Sequence, residues 1–153
     1  MLRLHCDRRV RLLATMARYG QGANSSWKPS SRAGTIIVSH FANRSFLEIR
    51  SFFTSFFISV ITYMELVQGM RNKNELNELR KALRMWNAKI LYVTEEVSTK
   101  AMFFVERHYL SHSIEIADSL IASTAITNAL TLVTGNDKHY RVIKDLNLKI
   151  FRP

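Results

Sequence analysis

From Phe57 onward, short apolar runs alternate with stretches of helical period, and this alternation restricts the fold more than any other feature of the chain. Phe57 to Val60 is aromatic and β-branched, as a buried strand requires. Thr62 is then a plausible N-cap for a helix carrying Met64, Glu65, Leu66 and Val67, which Gly69 would end or loosen. Asn74 to Trp86 places Leu76, Leu79, Leu83 and Trp86 at three- and four-residue steps with charges opposite, an amphipathic helix. Ile90 to Val93 is the next strand. Glu95 to Leu110 follows as a helix with Val97, Ala101, Phe104, Val105 and His108 on its inner side. Glu115 to Leu130 is apolar nearly all round, as in a helix packed near the centre of a domain. Thr131 to Thr134 is a short apolar strand, and Gly135 and Asn136 form a polar turn. Tyr140 to Ile143 closes a short helix, and Leu148 to Phe151 is a last strand. Strand and helix in this rhythm imply an α/β fold: a mostly parallel sheet covered by helices on both faces.

The first third of the chain differs in composition. Residues 1–50 hold nine of the 22 Lys and Arg against only Asp7 and Glu48, whereas the remaining residues are nearly balanced. Within it, Leu2, Leu4 and Cys6 alternate into a short strand ending at Asp7, residues 8–19 suit a basic helix, and Thr35 to Val38 suits a strand. Its Arg- and Ser-rich, acid-poor character is also that of a transit peptide or a basic arm. At 153 residues the chain suits one domain, here 1–153 with an atypical basic segment over 1–50. The formal charge of +10 makes an acidic polymer the partner to consider first. A single cysteine excludes an internal disulfide and a Cys-based zinc site, so a reducing, cytoplasmic setting is expected. The uncharged stretch Ser51 to Met64 is 14 residues long. That falls short of the roughly 20 a membrane-spanning helix needs, so no membrane segment is assigned.

In open parallel sheets, chemistry collects at the carboxyl ends of the strands. Glu65, Asp137 and Asp7 each follow an expected strand, and Asp118 stands alone in the apolar helix IEIADSLIAST. A buried carboxylate is costly without a cation or hydrogen-bond donors. Several converging carboxylates would repel one another unless a divalent ion neutralised them. Hard oxygen ligands favour Mg²⁺ or Mn²⁺ over zinc, a donor set suited to phosphodiester hydrolysis. The competing reading is that Glu65 and Asp118 only cap or pair locally. The five histidines show no metal spacing, with His139 a surface group or one lying behind a metal ligand.

The segments ISVITYMELVQG (Ile58 to Gly69) and IADSLIASTAITNALTLVTGND (Ile116 to Asp137), with the ending LNLKIFRP, resemble the PIN domain of VapC ribonuclease toxins. The resemblance runs over residues 58–153 and implies a three-layer α/β/α domain, often a homodimer, neutralised by a VapB-type antitoxin. It implies cleavage of RNA with Mg²⁺ or Mn²⁺, leaving a 3′ hydroxyl and a 5′ phosphate. Carried over by position, Glu65 and Asp118 match the second and third acids of the family. The fourth position falls on Asn136, with Thr134 as the neighbouring hydroxyl and Asp137 one residue further on. Asp7 stands at the first position, where Arg8 and Arg9 replace the small neutral residues the family carries. Asp7, Glu65 and Asp118 would be catalytic, with Asn136 and Asp137 completing the metal set. Arg71, Lys73, Lys138, Arg141 and Lys144 are candidates for the RNA backbone. Residues 8–57 depart from the family, as a shifted reading frame would produce. The alternatives are an inactive PIN remnant that binds antitoxin or RNA without cleavage, and a basic RNA-binding adaptor.

Overall fold

The computed structural model describes residues 35–37, 56–135 and 137–150. Among these residues five parallel strands form one sheet: β1 (Thr35–Ile37), β2 (Phe56–Ser59), β3 (Lys89–Leu91), β4 (Thr131–Thr134) and β5 (Leu148–Ile150), in the order β3-β2-β1-β4-β5. The middle strand therefore comes from the compositionally foreign first third. Thr35 pairs with Phe56 on one side and with Thr131 on the other. The expected strand ending at Asp7 and the basic helix after it lie outside the described residues.

Among the described residues four helices cover the sheet: α1 (Val60–Gln68), α2 (Lys73–Met85), α3 (Glu95–His112) and α4 (Ile116–Thr127). Because side chains alternate along a strand, Ile58 and Val133 enter one core, while Phe57 and Leu132 enter the other. The first core gathers Leu66, Leu79, Ala82, Leu83 and Trp86 from α1 and α2. The second gathers Phe104, Ile114, Ile121, Ala122, Ala125, Tyr140, Ile143 and Leu146. The result is the three-layer α/β/α arrangement expected from the sequence.

The element ends follow their capping side chains. Ser59, not Thr62, caps α1: its Oγ accepts from the Ile61 N–H at 3.2 Å while its own backbone stays extended. Thr62 lies fully buried inside the helix. A hydroxyl directly after the apolar run reaches the first free amides sooner, so strand passes into helix with no loop. Gly69 ends α1 through its N–H to the Glu65 and Leu66 carbonyls, both at 3.1 Å. Asn72 caps α2 through the Glu75 N–H at 3.0 Å, and the Glu75 carboxylate reaches back to the Arg71 N–H at 2.8 Å. This reciprocal arrangement satisfies two amides at one helix start.

Thr94 caps α3 through the Val97 N–H at 3.3 Å, so the strand expected to run to Val93 stops at Leu91. α4 ends at Thr127 rather than Leu130, because Ala129 turns to a left-handed φ of 51° and redirects the chain into β4. The helix expected over Tyr140 to Ile143 does not form. The Asp137, Tyr140 and Ile143 carbonyls each accept an amide three residues on, giving consecutive turns. Among the described residues, no helix is long and apolar enough to cross a membrane.

Candidate functional site

The connections reverse direction at the centre of the sheet. From β1 the chain passes to β2 and β3 on one side, then returns across to β4 and β5 on the other. The carboxyl edge beside β1 and β4 is thus the switch point where open parallel sheets bind ligands. Thr134 ends β4 there, fully buried.

Asp118 occupies the first turn of α4, where the helix dipole favours a negative charge. It is 6% exposed, and both its oxygens are engaged. The Tyr140 hydroxyl donates to Oδ1 at 2.9 Å, and His139 Nδ1 meets Oδ2 at 2.6 Å. A carboxylate only accepts, so the His139 proton sits on Nδ1. The turn after β4 makes this possible. Asp137 accepts the amides of Tyr140 and Arg141 on its carbonyl and pairs its carboxylate with the Arg141 guanidinium. The chain is thereby folded back so that His139 and Tyr140 face the start of α4.

Tyr140 is fully buried, and its hydroxyl is held well above the ordinary phenol range. Burial is the main cause, followed by the charge and hydrogen bond of Asp118, then the charges of Glu65 and Glu115. Glu65 on α1 is near enough for its charge to act on that hydroxyl, while Asp118 is the acid bonded to it. The Glu65 side chain is half-buried.

The other expected site residues divide. Asp7 and Asn136 lie outside the described residues. Asp137 is committed to Arg141, and Thr134 stands at the strand end beneath the turn. Arg71 pairs with Glu75 at 4.0 Å on the outside of the domain. Lys73, Lys138, Arg141 and Lys144 are exposed. Among the described residues, no three His, Cys, Asp or Glu side chains gather into a metal-binding cluster. Asp118, buried at the switch point and keeping lone pairs beyond its two donors, nevertheless offers a hard oxygen to a magnesium-like ion, which takes one or two carboxylates and keeps several waters. Glu65 and Asp118 would hold it.

Sequence reading missed Glu115 and the contacts of His139 and Tyr140 with Asp118. Those contacts span 21 and 22 residues and carry no local signal. His108 and His112 also come together, their rings 5.9 Å apart on α3, a four-residue spacing that the sequence did contain. A separate cleft of about 1190 Å³ opens where Leu91, Tyr92, Glu95 and Phe103 meet Thr127 and Asn128, and contains neither Glu65 nor Asp118.

Residues 35–145 match the PIN domain family. The match starts at Thr35 and so takes in residues 35–57, which the sequence reading set apart from the family. Asp7 lies before the matched span. Ribonuclease VapC1 of Methanocaldococcus jannaschii is 30% identical over 95 residues, 61% of this chain and 68% of that protein. VapBC-1 from nontypeable Haemophilus influenzae superimposes with a TM-score of 0.65 at 19% identity, covering 76% of this chain and 97% of that one. VapBC2 from Rickettsia felis, solved with a DNA fragment from its promoter, does so at 0.61 and 21%, covering 78% and 100%.

Proposed function

The chain belongs to the PIN domain family, and from that premise we propose that it is a VapC-type endoribonuclease, the toxin of a toxin–antitoxin pair. The observation that carries this reading is the buried Asp118 at the switch point, each of its oxygens met by a donor from the turn after β4. The similarity to Ribonuclease VapC1 supports RNA as the polymer cleaved.

Glu65 and Asp118 present hard oxygens to Mg²⁺ or Mn²⁺. Such an ion supplies an acidified water and positive charge against the phosphate. The protein's own part is to hold the acids. The first turn of α4 and the Tyr140 and His139 donors keep Asp118 in place, while α1 brings Glu65 from the opposite side. Lys138 and Lys144, exposed on the turns beside the site, meet the RNA backbone. In-line attack then leaves a 3′ hydroxyl and a 5′ phosphate.

A VapB-type antitoxin and a second copy of the chain are the protein partners in this reading. The outer face of α3 supports an apolar contact: Met102, Phe103, Tyr109 and Leu110 are 63%, 50%, 58% and 94% exposed there. The test is RNA cleavage with Mg²⁺ by the wild-type chain and by Asp118→Asn. Loss in the variant supports the reading, and equal cleavage by both rejects it.

A second reading, an inactive PIN domain that still binds antitoxin, is favoured by one feature of the sequence. After the central strand β1, no acid occurs before Glu48. Antitoxin binding by the wild-type chain without RNA cleavage in Mg²⁺ or Mn²⁺ would support that alternative.

A further inference from the structure

We propose that Tyr140 and His139 are positioning residues for metal binding, fixing the plane of the Asp118 carboxylate for the ion; this rests on the metal-dependent reading above. Each oxygen of Asp118 has its own donor, Tyr140 Oη on Oδ1 at 2.9 Å and His139 Nδ1 on Oδ2 at 2.6 Å. A single donor would let the carboxylate rotate about its bond to Cβ. Two donors from adjacent residues of one turn hold it against that rotation. Every carboxylate oxygen has more than one lone pair, so an oxygen that accepts one hydrogen bond can still coordinate a cation.

The Tyr140 hydroxyl is not needed for packing. Its ring sits in the second core among Phe104, Ile114 and Ile121, where a phenylalanine ring would fill the same space. What the oxygen adds is the bond to Asp118, in a place where an unbonded hydroxyl would be costly. His139 has the complementary setting. Its side chain is 18% exposed, at the rim of the site, so its removal leaves the core intact. The Arg141–Asp137 pair and the two amides on the Asp137 carbonyl make the turn that carries both donors. The carboxylate is thus aligned before any ion arrives.

The test is Mn²⁺ affinity by calorimetry, with thermal melting of the metal-free proteins alongside. It compares wild type with Tyr140→Phe, His139→Ala, His139→Asn and Asp118→Asn. Removing a hydrogen-bond partner of a metal ligand typically costs about tenfold to a hundredfold in affinity, and that loss is expected for Tyr140→Phe and His139→Ala. His139→Asn places an amide N–H where Nδ1 stands and should recover most of it, which a purely structural role would not predict. On RNA, Tyr140→Phe should lower kcat at saturating substrate with KM unchanged. Wild-type Mn²⁺ affinity in both Tyr140→Phe and His139→Ala, with Asp118→Asn impaired, overturns the positioning role alone. The role also falls if the losses only follow a lower melting temperature, and His139→Ala keeps the test usable should Tyr140→Phe fail to fold. Asp118→Asn binding Mn²⁺ as wild type does, or a wild type that binds none, overturns the metal site and the positioning role with it.

Discussion

On the α1–α2 face of the sheet the core is hydrocarbon, Ile58, Leu66, Leu79, Leu83 and the Trp86 ring, with Thr62 the buried polar residue of α1. Across the sheet, α4 buries Asp118, Ser119, Ser123 and Thr124 beside Ile121, Ala122 and Ala125. The two layers have the same architecture and opposite tolerance for polarity. Hydrocarbon packing stabilises in proportion to the area it removes from water. A buried carboxylate stabilises nothing unless its donors are in place. The second layer brings Asp118 to the proposed site, while the first is mainly packing and lends it Glu65 from α1.

The contrast is broken most sharply at Asp118. Asp118→Asn should reduce RNA cleavage by about a hundredfold or more, the scale for losing a fixed electrostatic group, while circular dichroism stays that of the wild type. Leu79→Ala, on the other face, should cost about 2–5 kcal/mol in a denaturant titration and leave cleavage per folded molecule unchanged. If Leu79→Ala instead altered specific activity, the separation of scaffold from site would be wrong. Asn72→Ala removes the cap of α2 and should cost about 1 kcal/mol in the same titration, again without touching the chemistry.

Smaller effects sharpen the picture at the surface. Lys138→Ala and Lys144→Ala should each weaken RNA binding uniformly across sequences and lower the slope of log affinity against log salt by about one. A change in sequence preference would assign them to base contacts instead. His108 on α3 has its pKa pulled below the ordinary 6.5, by partial burial first and then by Arg107 and His112. The folded state thus binds this proton less readily than the unfolded chain. Its contribution to stability is present above pH 6.5 and is lost as pH falls through the lowered value. Melting temperatures between pH 5 and 8 should fall slightly less on the acid side in His108→Gln.

Much of this was legible from residue order, for reasons that differ by element. The helices over α2 and α3 declare themselves because their apolar residues recur with the period of the helix, whereas their caps, Asn72 and Thr94, show only in the structure. Thr35 to Ile37 was visible as a strand, but its place in the middle of the sheet was not, since register depends on partners at Phe56 and Thr131. Asp118 stood out as a lone charge in an apolar helix. Its donors did not, because His139 and Tyr140 reach it only through a turn that local periodicity misread as a helix. Ser59 was passed over as a cap because Thr62 has the same chemistry and sits nearby.

The register of β1 with β4 has a consequence for synthesis on the ribosome. Thr35 emerges 96 positions before its neighbour Thr131. Pairings of such separation form late, because the intervening chain must first be closed. The centre of the sheet, and the switch point beside it, therefore waits on the synthesis of β4.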